Sequence, residues 1–348
     1  MTTLTEAAYY ARNIIKYGGV GLIVLIVGQW GISSAIRAYN LAHPPYYPPT
    51  MTYGKLPPIV FPEKTNPPVT FSLQLPNDGF PKMSDQAKVY LVYQPVDSLL
   101  ALEDGTKTAK SLGFDGQPTE TKTGVYQWTN GVTNQTLTIN VLDGSFHIKY
   151  PYENDQLLQN PDVMPTNSAA IAMAQSFLQQ ANKLAPDLKD GEAKVSYYKI
   201  SYTGLKPAAS LSESNIIKVD IFRKATDDGI KILPSDPTSA SVSFLISGST
   251  VESKKIVEVN YSYAPIDRQS FSTYPIKTPQ QAWSEVQSGN YWTAEAATGT
   301  STVIRKIYIA YFEPATLTNY MQPIYVFEGD GNFVGYVPAV NSSELLQK

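Results

Sequence analysis

Chemistry in this chain has few side chains to draw on: two histidines, His43 and His147, and no cysteine. Neither histidine has a partner at HxxxH or HExxH spacing, so the imidazole pair that grips zinc is missing. Without cysteine, thiolate metal sites, disulfides and sulfur nucleophiles are excluded together. A lone histidine inside an alternating segment, as His147 is, reads as a structural side chain. No GxSxG elbow, Walker loop or GxGxxG turn occurs. Glu328, Asp330 and Asn332 place oxygen ligands at alternate positions, which suits calcium. The segment lacks the later bidentate glutamate of an EF-hand, however, and reads as a hairpin turn. Glu153, Asn154 and Asp155 read as a polar turn. Asn134, Asn260 and Asn341 head N-x-Ser/Thr triplets, which matter only in a host that glycosylates. Trp283, Tyr291 and Trp292 cluster around one predicted helix and its exit. Core packing explains them, and the other reading is a platform for a sugar or peptide. The expectation is therefore no catalytic residue, no cofactor, no metal and no enzyme, with Trp283, Tyr291 and Trp292 as the candidate binding surface.

The elements around these residues are organised by the stretch from Tyr17 to Ile36, twenty residues without a charged side chain. At ~1.5 Å per residue a helix of that length covers the ~30 Å hydrocarbon core of a bilayer. The reading is a transmembrane helix over 17–37, anchored through Tyr17, Leu22, Leu25, Trp30 and Ile36, with the lipid bilayer as its first partner. Arg12, Lys16 and the terminal amine precede it, against Arg37 and then nothing basic until Lys55. That bias predicts a cytoplasmic N-terminus and an extracytoplasmic C-terminal region. A cleaved signal peptide is the rival reading, with Ser33 and Ala35 at small-residue positions, but signal cores usually run only ~7 to 15 residues. Residues 1–16 form an amphipathic helix starting near Thr3, lying in the interface or running straight into the span.

Composition narrows the rest. A formal net charge of −3 leaves no basic stripe for nucleic acid, and 43% hydrophobic content suffices for two ordinary cores. The 24 tyrosines suit half-buried sheets, where a ring packs and its hydroxyl reaches water. Eleven of the 26 prolines fall between Pro44 and Pro81. Proline fixes φ and biases its predecessor to extended backbone, so residues 38–85 read as a semi-rigid stalk.

Two α+β domains are expected beyond it, 86–160 and 161–348, each of antiparallel sheet with helices on one face. In the first, Ala87–Tyr93 reads as a strand and Val96–Leu112 as a helical region broken at Asp104 and Gly105. Strands Gly124–Trp128, Thr136–Leu142 and Ser145–Tyr150 follow, the last two joined by an Asp143-Gly144 hairpin turn. In the second, Ala170, Ala174, Phe177, Leu178, Ala181 and Leu184 make one helix face, capped at Thr166 or Asn167. Alternation then marks Ala193–Tyr202, Asn215–Arg223, Ser241–Ser247 and Lys254–Tyr263 as strands. A helix from Thr278 and Pro279 to Val286 precedes strands at Thr302–Phe312, Pro323–Phe327 and Asn332–Val337.

The last seventy residues, with YPIKTPQQAWSEVQSG (Tyr274–Gly289), IRKIYIAYFEP (Ile304–Pro314) and QPIYVFEGDGNFVGYVPAV (Gln322–Val340), resemble PepSY-like domains. On its single-span anchor the chain is similar to YycH/YycI-type membrane regulators of sensor kinases. The segment PTMTYGKLPPIVFP (Pro49–Pro62) looks like one in uncharacterised single-pass envelope proteins of candidate-phyla bacteria. The resemblance implies a PepSY-like tail over about 274–340 and binding or regulation outside the membrane. It carries no catalytic residue to transfer. The expected function is a type II, membrane-anchored binding or regulatory protein of the cell envelope with a protein partner. The alternative is a structural subunit of an envelope assembly, with the span and the N-terminal helix making the specific contacts.

Overall fold

The computed structural model describes residues 4–42, 46–63, 69–76, 79–94, 100–159, 161 and 163–347. It divides into two units, Met1–Pro48 and Pro49–Lys348. His43 and the proline pairs at 44–45 and 67–68 lie outside the described residues.

The first unit is one helix, Leu4–Ala42. Its 39 residues make it ~58 Å long at 1.5 Å per residue. Ala8–Asn40 within it is long and apolar enough to cross a membrane. Tyr17, Leu22, Leu25, Trp30 and Ile36 all project from the helix, exposed. Of the two courses open to the N-terminal helix, lying in the interface or running straight into the span, the structure has the second: residues 4–42 are one helix. No proline or cap interrupts residues 12–20, so the i→i−4 ladder continues through Gly18 and Gly19.

Among the described residues the second unit holds three sheets. The largest has nine antiparallel strands in the order Thr119–Lys122, Val125–Thr129, Thr136–Asn140, Phe146–Lys149, Ile256–Tyr261, Val242–Ser247, Ile216–Ile221, Ala193–Ser201, Gly204–Pro207. Register aligns Ile139, Phe146, Tyr261, Val242 and Ile221 in one cross-strand row. One residue along, Thr138, His147, Asn260, Ser243 and Asp220 make the next row, on the opposite face. The apolar row packs with Ala170, Ala174 and Leu178 of the helix Asn167–Gln180 and with Ala109 of the helix Ala101–Ser111. Thr166 caps the first of these helices by accepting from Ala169 N. The expected break at Asp104 and Gly105 does not occur. Gly105 is a packing residue inside the second helix, since a Cβ there would sit 2.8 Å from Val141 Cγ1.

The second sheet is built on the long strand Ser301–Glu313, followed by Pro323–Gly329, Val334–Pro338 and Trp292–Glu295. Thr70–Leu73 and Ile232–Pro234 pair with the long strand in parallel, a departure from the expected purely antiparallel sheets. Both strands arrive from distant parts of the chain, which leaves parallel pairing open to them. The helix Pro279–Gln287 starts with a capping box between Thr278 and Gln281 and covers one face. A third, short sheet joins Ile266–Pro275, Gln86–Val92 and Tyr320–Met321.

Two expectations about organisation are corrected here. The boundary between 160 and 161 does not separate domains: Phe146–Lys149 pairs on one side with Thr136–Asn140 and on the other with Ile256–Tyr261. Nor is the described part of 49–85 a free stalk. Leu56 is fully buried, its N–H donates to Glu344 O at 2.9 Å, and its carbonyl accepts from Leu346 N at 2.8 Å. The carbonyls of Gly54, Pro57 and Pro62 accept from Tyr274 Oη, Gln322 Nε2 and Trp292 Nε1. Extended, proline-rich backbone leaves its carbonyls unpaired internally, and side chains of the body take them. Ile59 and Phe61 close the face of the second sheet opposite its helix, so Ile324 and Val326 are buried there while Tyr325 and Phe327 face the helix side.

Candidate functional site

The three aromatics expected to offer a binding surface are instead packed, and they do not share one. Trp283 lies against Phe71 and Phe327 on the helix side of the second sheet. Trp292 stacks on Phe61 with ring centroids 5.3 Å apart, on the other side. Tyr291 meets Phe71 and Phe333 edge-on. The cause is the segment before Gln86, which supplies Phe61 and Phe71 as lids over rings that would otherwise face water.

The remaining chemistry-bearing residues are also engaged. His147 Nε2 lies 3.3 Å from Glu258 Oε1 on the polar sheet face, with Asn260 Nδ2 on the same oxygen. Burial pushes the Glu258 carboxyl up, but His147, Asn260 and the Lys149 charge outweigh it and hold the group below the usual carboxylate range. Glu328 accepts from Tyr308 Oη at 2.6 Å, and Asp330 pairs with Arg305 at 2.7 Å, so the turn at 328–332 has its carboxylates occupied. Asp155 accepts from Tyr150 Oη and Lys254 Nζ. Among the described residues no group of three His, Cys, Asp or Glu side chains is placed to hold a metal ion.

The most heavily charged buried cluster joins the two large sheets. Arg223 Nε donates to Asp187 Oδ2 at 2.9 Å, and Nη1 donates to Glu313 Oε1 and Ala264 O at 3.0 Å. Tyr263 Oη donates to Asp187 Oδ1, Ser241 Oγ donates to Glu313 Oε2, and the Tyr263 ring lies 4.6 Å from the guanidinium. Each carboxylate is met from two sides, which makes the cluster a cross-sheet clamp.

Open space with a chemical character lies elsewhere, beside the helix Asn167–Gln180. Two hollows of about 680 and 440 Å³ share Met173, Glu252 and Lys255 and form one cleft. Leu112, Met173, Phe177 and Ile256 form its floor, half-buried and packed on the main core. Asn130, Thr133, Gln135 and Gln180 give the rim amides and a hydroxyl. The rim is braced: Asn130 Oδ1 accepts from Val132 N and Thr133 N, Gln135 Nε2 donates to Ser253 O, and Lys255 pairs with Glu252 at 2.5 Å. An apolar floor under a rim of amides, a hydroxyl and one ion pair suits an amphipathic chain, whose side chains seat below and whose polar groups meet the amides. Sequence reasoning missed this site because four separate segments build it. The available signal was Met173, an apolar residue beside the expected helix face and more than the sheet needs to cover.

No family model matches the chain, and no curated protein matches it. Among solved structures, one of an uncharacterized protein from Eubacterium rectale is similar at 12% identity with a TM-score of 0.42. The likeness covers 82% of this chain and 92% of that one. What the described residues define is a class: one helix of membrane-spanning length and an α+β body of mostly antiparallel sheets.

Proposed function

We propose that the protein is a membrane-anchored binding or regulatory component of the cell envelope, without catalytic turnover, its body held outside the cytoplasm by a single span. The observation that carries this reading is the helix Leu4–Ala42, whose apolar side chains from Val20 to Ile36 are exposed throughout. In water such a surface is costly, and in a bilayer it is at rest. Arg12 and Lys16 before the span set the N-terminus inside. The cleft at Met173 and Phe177 is the contact surface for a protein partner. A PepSY-like, YycH/YycI-type regulator is the role the resemblance of the last seventy residues suggests.

The test is extraction in mild detergent, followed by size analysis and mass spectrometry of what co-purifies, for the natural chain and for Phe177→Glu. A defined partner that is lost on Phe177→Glu supports the reading, and a natural chain that travels alone overturns it. The second reading, a structural subunit of an envelope assembly, draws on the same exposed helix surface. Replacing residues 1–36 with an unrelated anchor separates the two, because a subunit packed through its span loses its partner while the regulator keeps it.

A further inference from the structure

We infer that the membrane helix pairs in parallel with a second copy of itself along a seam centred on Gln29, a proposal that rests on the membrane-anchored reading above. Apolar residues recur along this helix in steps of three and four: Leu22, Leu25, Ile32 and Ile36, with Gln29 as the one polar member between them. The same stepping extends back to Ala8 and on to Tyr39. Steps that average 3.5 residues keep one face turned to a partner over many turns, which is the period of a left-handed helix pair. None of Glu6, Arg12, Lys16 and Arg37 falls on that series, so no charge interrupts the seam. Gly21, Gly28 and Ala35 recur at intervals of seven along one flank and allow close backbone approach.

Gln29 decides what covers this face. It stands within the segment Ala8–Asn40, which is long and apolar enough to cross a membrane. A primary amide in lipid wants both a donor and an acceptor. A second copy supplies both: each side chain donates its N–H to the other's carbonyl across a two-fold axis, and of the parallel pairs only the in-register one sets position 29 against itself. Copies of one single-pass protein insert the same way, so parallel pairing is the arrangement open to them. An apolar partner helix would leave the amide unsatisfied.

The absence of cysteine makes the test direct, since single cysteines can be placed in the otherwise natural full-length chain. Cysteine is introduced at Leu22, Leu25, Ile32 or Ile36, and at Val20 or Val27 on the opposite face, and membranes are oxidised. Disulfide-linked dimers are expected from the first four and not from the last two. Gln29→Leu should lower the yield from Leu25→Cys roughly threefold to tenfold. Gln29→Asn, which keeps the amide, should restore most of it. Equal yields on both faces, a maximum at Val20 or Val27, or no effect of Gln29→Leu would overturn the seam. Release of the chain from membranes by alkaline carbonate would instead refute the anchored reading on which the seam depends.

Discussion

Arg223 shows how much of this body is held by few charges. Its guanidinium side chain is 2% exposed and stands between Asp187 and Glu313. Arg223→Ala leaves buried Glu313 without its counter-charge and Asp187 with Arg268 at 3.7 Å, and should cost about 3–5 kcal/mol, read from urea unfolding of the detergent-solubilised chain. Replacing Arg223, Asp187 and Glu313 together with apolar side chains of similar volume should cost less than that single change. Asp155 behaves differently. Burial raises its pKa, but donation from Lys254 and Tyr150 outweighs burial and leaves it below the ordinary value. A carboxyl lowered on folding contributes stability that is complete above the ordinary value of about 3.9 and is lost as pH falls through the lower folded value. Asp155→Asn should therefore be less stable than the natural chain at pH 6, and the two should converge below pH 4 in urea midpoints taken across that range.

At the scale of elements, the segment Pro49–Leu73 changes what counts as the folded body. Leu56 is buried against Val89, Tyr274 and Val340, Phe61 covers Trp292 and Phe312, and Thr70–Leu73 adds a parallel strand to Ser301–Ile304. A soluble fragment starting at Gln86 lacks all three and should be aggregation-prone, with the sheet edge at Ser301 uncovered. A fragment starting at Pro49 should unfold cooperatively, as followed by tryptophan fluorescence in urea. Within that fragment Leu56→Ala should cost about 2–5 kcal/mol. Gly191 makes a similar point locally: a Cβ there would meet Phe222 O at 1.9 Å, so Gly191→Ala forces the backbone after the helix Pro186–Lys189 to move.

For the whole molecule, partition between membrane and water is the property with the largest consequence. The full chain should stay in the membrane pellet through alkaline carbonate, and residues 49–348 alone should stay in the supernatant; fractionation and immunoblotting read both outcomes. The sheets place no demand on thiol–disulfide balance, because a chain without cysteine forms no disulfide. Unfolding midpoints of the 49–348 fragment should accordingly be the same with and without a thiol reductant.

The sequence by itself determined the properties that depend on runs and periods along the chain. A charge-free run of twenty residues announced the membrane-length helix, and alternation at Ile217, Val219, Ile221 and at Val257, Val259, Tyr261 placed strands within one or two residues of their observed ends. Thr166 or Asn167, and Thr278 with Pro279, were legible as helix starts, because a cap is a local hydrogen bond and proline suits the first turn. Only tertiary structure decided what touches what. Prolines between 49 and 62 signal extended backbone, but whether that backbone stands free or lies on a sheet depends on partners some 200 residues away. The short strands Thr70–Leu73, Ile232–Pro234 and Tyr320–Met321 have too few residues to show a period, and pairing with a distant strand creates them. Trp283 and Trp292 stand nine residues apart in the chain yet pack on opposite faces of one sheet, under lids from Phe71 and Phe61. The cleft at Met173 was hidden for the same reason: a concave surface exists only once separate elements have docked, and no periodicity along one chain encodes the space between them.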